Sequence, residues 1–166
     1  NEISSDLVVA LHSDNEEDLK LFAHSLVVDD KTSDFMMKKE LCYRGIPCEF
    51  VKNDAGPGLP FIGDKFYKNL VYLKRKLVSD GLLDDLSAID TVKYEFETEL
   101  INGVKVEGLD MKIMLKSGKK FIMYPIGEMV RVNGKWSLFT RPESDYRVQD
   151  EYPDYDHYKR PGMLIP

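Results

Sequence analysis

The sequence predicts an α+β fold, with N-terminal helices packed on a curved four-stranded antiparallel meander and an irregular C-terminal tail. Three observations predict it. Thr91 to Ile101 alternates Val92, Tyr94, Phe96, Thr98 and Leu100 with Lys93, Glu95, Glu97 and Glu99, the period of a strand with one dry and one wet face. Asn102-Gly103 and Asn133-Gly134 supply the positive φ angles of tight hairpins, and Ser117-Gly118 marks the turn between them. Ahead of residue 91 the apolar residues recur instead at three- and four-residue spacing, the helical period.

In chain order, Ser4-Ser5-Asp6 is expected to cap a short helix over Leu7 to Leu11, and the apolar-free stretch His12 to Asp18 breaks it. Ser13-Asp14-Asn15-Glu16-Glu17 holds two overlapping capping boxes, Ser13 with Glu16 and Asp14 with Glu17, opening a second helix that buries Leu19, Phe22, Ala23 and Leu26. A polar loop at Asp29 to Ser33 leads to a third short helix over Phe35 to Tyr43, ended by Gly45. Gly56, Pro57, Gly58 and Pro60 exclude regular structure from Asn53 to Pro60. Asp64 then caps a long helix carrying Phe66, Leu70, Leu73 and Leu77 and stopped by Gly81, with Lys74-Arg75-Lys76 read as a solvated basic face in its last turns. The meander occupies residues 91 to 141, where Trp136 is expected to anchor the core. In Val104 to Leu115 the apolar residues change parity at Gly108, from Val104 and Val106 to Leu109, Met111, Ile113 and Leu115, which suggests a bulge. Residues 1–141 thus form one domain. Residues 142–166 form an acidic, tyrosine-rich tail that either wraps the domain or docks on something else.

At 166 residues, 43% hydrophobic and 31% charged, the chain has the size and composition of one self-sufficient globular domain. The longest apolar run, Leu7 to Leu11, is far short of the roughly 20 residues needed to cross a bilayer. A net charge of -6 argues against nucleic acid and favours a basic protein partner. The chain begins at Asn1, as a processed mature protein or a trimmed one would. Cys42 and Cys48 either close a small loop worth roughly 2 kcal/mol in an exported protein or stay two thiols in a cytosolic one. A periplasmic or secreted location is favoured over a cytoplasmic one.

His12, His24 and His157 lie at no metal-ligand spacing and read as surface residues, and no nucleophile elbow, zinc-protease, phosphate-loop or dinucleotide motif occurs. No metal or cofactor is expected. One constellation merits a catalytic reading: Asp110 with Tyr94 and Tyr124 on neighbouring strands, an acid and two phenols of the kind that enolise carbonyl compounds. A bulge at Gly108 would instead turn Asp110 to solvent.

Leu7-Val8-Val9-Ala10-Leu11-His12-Ser13-Asp14-Asn15-Glu16 resembles the opening helix of the nuclear-transport-factor-2-like superfamily. Ser117-Gly118-Lys119-Lys120 and Val132-Asn133-Gly134-Lys135-Trp136-Ser137-Leu138 are similar to its closing hairpin. The resemblance covers under a quarter of the chain. It implies a cystatin-like roll whose helices close a cone over the concave sheet, with a pocket that serves isomerases, dehydratases or hydrolases in some members and with binding or dimerisation roles in others; a homodimer is therefore allowed. The stretch 44 to 63 and the tail depart from that pattern.

Three functional expectations follow. The leading one is a non-catalytic binding domain of an exported bacterial protein, recognising a protein or a small apolar ligand through the concave face and the tail, with Tyr152, Asp154, Tyr155, Asp156 and Tyr158 as contact residues. The second is an immunity-type inhibitor of a basic toxin or nuclease, using the same tail. The third is an isomerase- or dehydratase-like enzyme using Asp110, Tyr94 and Tyr124.

Overall fold

The computed structural model describes residues 2–27, 29, 31, 32, 35, 38, 39, 58–132, 134–138 and 145–152. The fold is α+β. Among these residues the elements run α1 (Glu2–His12), α2 (Glu16–Ser25), α3 (Gly58–Ser79), β1 (Leu86–Ile101), β2 (Val104–Ser117), β3 (Lys120–Val132), β4 (Lys135–Leu138) and β5 (Arg147–Gln149).

The helices start elsewhere than the sequence suggests. Ser4, Ser5 and Asp6 lie inside α1 instead of capping it; Ser4 is buried, and its hydroxyl accepts a bond from Thr91 Oγ1 at 3.1 Å. The N-cap of α2 is Asn15, whose side chain accepts the Glu17 N–H at 3.2 Å, while the Ser13 hydroxyl turns to Asp18. The acidic first turn of α2, Glu16 to Asp18, suits the positive end of its dipole. Helix α3 begins at Gly58, six residues ahead of the expected Asp64 cap. Pro60 does not prevent this, because the first-turn N–H groups of a helix have no intrahelical partner to lose. The expected third helix, Phe35 to Tyr43, lies largely outside the described residues; within it Lys39 N–H bonds Phe35 O at 3.0 Å.

The sheet is the expected antiparallel meander β1-β2-β3-β4, with β1 starting at Leu86 and β5 added. Strands β4 and β5 both pair with the β3 edge that β2 does not use, β4 at Met129 to Val132 and β5 at Phe121 to Met123. Both hairpins at β1-β2 and β2-β3 have the left-handed residues their turns require, Asn102 (φ 48°) with Gly103 (φ 79°) and Gly118 (φ 56°). Three register shifts put an extra residue into the neighbours of β2: Ile89 and Phe96 in β1 and Ile126 in β3. Bulges in the flanking strands bend and twist a sheet, which curves this one.

The parity change around Gly108 has a different cause from the one expected. Strand β2 keeps its alternation through Gly108; the extra residue is Phe96, on β1, between the partners of Leu109 and Gly108. The apolar set switches because both sheet faces bury side chains. Leu109, Met111, Ile113 and Leu115 face the helices, whereas Val106 packs with Val130, Phe35, Ile101 and Val104 on the opposite face, where Met114 and Met123 are also buried.

The helix-facing side holds one continuous buried cluster. Leu7 and Leu11 of α1, Leu19 and Phe22 of α2, and Phe66, Leu70, Leu73 and Leu77 of α3 pack on Met111, Ile113, Leu115, Tyr124, Ile126 and Met129. Each fully buried leucine contributes roughly 2 kcal/mol of apolar transfer. Phe22 and Phe66 meet at a tilted 6.1 Å centroid separation, fixing α2 against α3. The β1 register differs from the alternation read as dry and wet: Thr91, Lys93 and Glu95 stand opposite Ile113, Met111 and Leu109, while Val92 and Tyr94 stand opposite Lys112 and Asp110. At the far end Leu100 is 76% exposed.

Candidate functional site

The chemistry on the described surface concentrates in a groove between α2 and the outer side of α3. Two hollows of about 470 and 350 Å³ share Glu16, Tyr67 and Lys68. The first extends over Asn15, Glu17, Lys20 and Asp64, the second over Val71, Tyr72 and Arg75. The spacing 64, 67, 68, 71, 72, 75 places these α3 residues on one face, opposite the buried Phe66, Leu70, Leu73 and Leu77.

Cross-links hold the two helices at this distance. The Tyr67 hydroxyl donates to Glu16 Oε2 at 3.1 Å, and that bond to an anion raises the Tyr67 pKa above its ordinary value. His24 Nε2 lies 3.2 Å from Asp64 Oδ1, and its ring rests on the buried backbone of Gly63, where a Cβ would come within 2.6 Å of the ring. Glycine is therefore what lets α2 approach the first turns of α3. Lys74 Nζ donates to Ser13 O at 2.5 Å, satisfying a carbonyl just past the end of α1, and His12 Nε2 meets Leu83 O at 2.8 Å.

The charges in the groove are unevenly met. Glu16 is taken by Tyr67, Asp64 by His24, and Glu17 lies 3.8 Å from Lys20. Lys68 and Arg75 have no ion-pair partner among the described residues, and Tyr72 between them is 54% exposed.

A second polar cluster crosses the sheet. Glu107, Arg131 and Trp136 stand opposite one another on β2, β3 and β4. The Glu107 carboxylate accepts from Arg131 and lies 2.6 Å from Lys105 Nζ; its pKa falls from 4.5 to about 2, chiefly through the Arg131 hydrogen bond, then through Lys105. The Arg131 guanidinium lies 5.1 Å from the centre of the Trp136 ring, which packs against the helix-facing core. Trp136 is thus a partly buried core residue with a charged cover.

A third cluster fastens the start of the tail. Tyr146 is 7% exposed; its hydroxyl donates to Asp80 Oδ2 at 2.5 Å, and Lys76 Nζ lies 4.8 Å from its ring centre. Burial, then the Asp80 bond, pushes the Tyr146 pKa well above its ordinary value. Lys76 also pairs with Asp145, whose pKa the Lys76 bond and then the Tyr146 N–H lower. Beyond β5, Lys120 meets Asp150 at 2.5 Å, and Tyr152 sits edge-on to Phe121 at 5.6 Å. The first tyrosines of the tail therefore bind the domain's own surface.

The structure separates the residues singled out for catalysis. Asp110 stands opposite Tyr94 in the register, but Tyr124 stands opposite Ile113 and is buried in the helix-facing core, on the other face of the sheet. Asp110 is partly exposed and lies 3.8 Å from Lys112 Nζ. Among the described residues no group of three or more His, Cys, Asp or Glu is placed to hold a metal ion, and no helix is long and apolar enough to cross a membrane. Of the tail contacts, Tyr152 is described and 42% exposed; Asp154, Tyr155, Asp156, Tyr158 and His157 lie outside the described residues, as do Cys42 and Cys48.

No protein-family model matches the chain, no curated protein is significantly similar to it, and no solved structure matches it. The site has to be read from its own chemistry.

Sequence reasoning missed the groove. Lys68, Tyr72 and Arg75 at i, i+4 and i+7 on a helix whose other face is apolar were a legible stripe. Nothing local, however, linked Glu16 to Tyr67 or His24 to Asp64, pairs that lie 51 and 40 residues apart.

Proposed function

We propose that this chain is a non-catalytic binding domain that recognises another protein. The observation that carries the reading is the division of chemistry between inside and outside. The helix-facing surface of the sheet is occupied by a continuous apolar cluster, and the hollows, with the charges that have no partner among the described residues, lie on the outer side of the helices. A surface of exposed aromatic, cationic and anionic side chains over a rigid two-helix base is the composition of protein recognition sites. The nuclear-transport-factor-2-like resemblance is compatible with this, since members of that superfamily include binding modules. Of the ligands considered from the sequence, a protein fits the outer groove better than a small apolar molecule does.

The test is purification of the tagged full chain from its source cells at physiological salt, followed by native mass spectrometry. The reading expects a stoichiometric protein partner retained through gel filtration. Recovery of the chain with a bound small metabolite and no protein would overturn it.

A further inference from the structure

We infer that the α2–α3 groove is the docking site for an acidic amphipathic helix of a partner protein; the inference rests on the protein-recognition reading above. The whole chain carries a net charge of -6, yet in this groove each carboxylate has a hydrogen-bond or ion-pair partner and Lys20 lies beside Glu17, whereas Lys68 and Arg75 have no such partner among the described residues. Glu16 accepts from Tyr67, Asp64 from His24, and Glu17 faces Lys20, leaving Lys68 and Arg75 without a counter-charge among the described residues. They sit seven residues apart on α3, two turns or about 10 Å along the axis. Carboxylates two turns apart on a partner helix match that spacing.

The floor between the cations is apolar and aromatic, formed by Tyr67, Val71 and Tyr72. It therefore suits a ligand with an apolar stripe beside its carboxylates, the helix-in-groove mode of recognition. The lined stretch of α3, residues 64 to 75, is about three turns long, enough for the short helix this requires. A continuous polyanion is disfavoured. A nucleic acid strand or an anionic bilayer would carry phosphates past Glu16, Glu17 and Asp64, which line the same groove.

The experiment is a selection on the intact chain from a displayed library of helices about 15 residues long, with leucines fixed at i, i+3, i+4 and i+7 and the flanking positions drawn from Glu, Gln and Lys. Selected helices are then measured against the wild type, the double variant Lys68→Glu/Arg75→Glu, the variant Tyr72→Ala, and the charge-matched control Lys38→Glu/Lys119→Glu. All changed side chains are partly or fully exposed, and circular dichroism confirms the fold of each variant. The inference expects enrichment of Glu, roughly tenfold or greater loss of affinity in Lys68→Glu/Arg75→Glu, a clear loss in Tyr72→Ala, and a small change in the control. Enrichment of Lys or Gln, or acidic helices that bind the groove variants as well as the wild type, overturns the groove and leaves protein recognition standing. Failure to select any helix overturns it too. Phosphatidylserine vesicles and a single-stranded oligonucleotide are run beside the selection; binding of either that depends on Lys68 and Arg75, with no helix selected, overturns both the groove and the protein-recognition reading.

Discussion

Tyr146 and Tyr72 are both set among the cations of α3, and they end in opposite states. Tyr146 arrives from the C-terminal segment, is almost fully buried, donates to Asp80 and lies beneath Lys76, which is itself paired with Asp145. Tyr72 projects from the same helix one turn before Lys76, is half exposed, and has on either side Lys68 and Arg75, which have no ion-pair partner among the described residues. The ingredients are similar: a phenol, a cation and a helix surface. The difference is that the chain supplies its own occupant at one place and none at the other among the described residues. Where all groups are satisfied, the arrangement serves stability; where they are left over, it is available to a partner.

The largest expected effect is at the occupied place. Tyr146→Ala removes a buried ring and leaves Asp80 without its donor, and is expected to lower unfolding free energy by about 3 kcal/mol, read from urea midpoints. Tyr72→Ala should stay within about 0.5 kcal/mol of the wild type. Equal losses in the two variants would erase the contrast.

Proton linkage sharpens it next. Glu107, held at about 2 by Arg131 and Lys105, and Asp145, lowered by Lys76, bind protons less readily folded than unfolded. Their contribution is present above the ordinary carboxylate range and is lost as pH falls from about 4.5 toward about 2 for Glu107. Tyr146 has the opposite sign. Its raised pKa means that stability is intact below the ordinary tyrosine value of 10.0 and declines above it, as the unfolded chain ionises first. Urea midpoints across pH should show both limbs; Glu107→Gln should flatten the acid one and Tyr146→Phe the alkaline one.

A smaller effect tests the clasp beneath the groove. Gly63→Ala improves helix propensity by about 1 kcal/mol, but its Cβ displaces the His24 ring from its place beside Asp64. The substitution should stabilise the protein by close to that amount in a His24→Ala background and by less in the wild type. Thermal denaturation of the four proteins in the cycle measures the difference. An identical gain in both backgrounds would mean that the ring does not rest on Gly63.

The fold class, the hairpins and the buried faces of α2 and α3 were legible because each is written locally: alternation in the strands, Asn-Gly at the turn, apolar residues at helical spacing. What was not legible depends on residues distant in sequence. β5 is three residues long, too short for an alternation to show, and it directly follows Tyr146 and Asp145, which are tied to α3. The triplet Lys74-Arg75-Lys76 reads as one solvated basic face, yet its members part: Lys74 binds the Ser13 carbonyl, Lys76 joins Tyr146 and Asp145, and Arg75 alone lines the groove. A helix turns about 100° per residue, so three adjacent charges meet three different surroundings. The Asp110 constellation failed to assemble for the same kind of reason, since strand parity decides which face a residue takes and puts Tyr124 on the face opposite Asp110.

On the proposed reading, the space between helices and sheet is core and recognition happens outside it. Trp136 is the single tryptophan of the chain and packs at the margin of that core, so its emission reports anything that enters. The decisive measurement is a titration of the native chain with a small apolar ligand that does not absorb at the emission of tryptophan, such as cyclohexanol, following Trp136 emission. No saturable change in Trp136 emission is expected below the unfolding transition. A saturable quench or shift with the fold intact would show that the interior accepts a small apolar ligand and would contradict that reading.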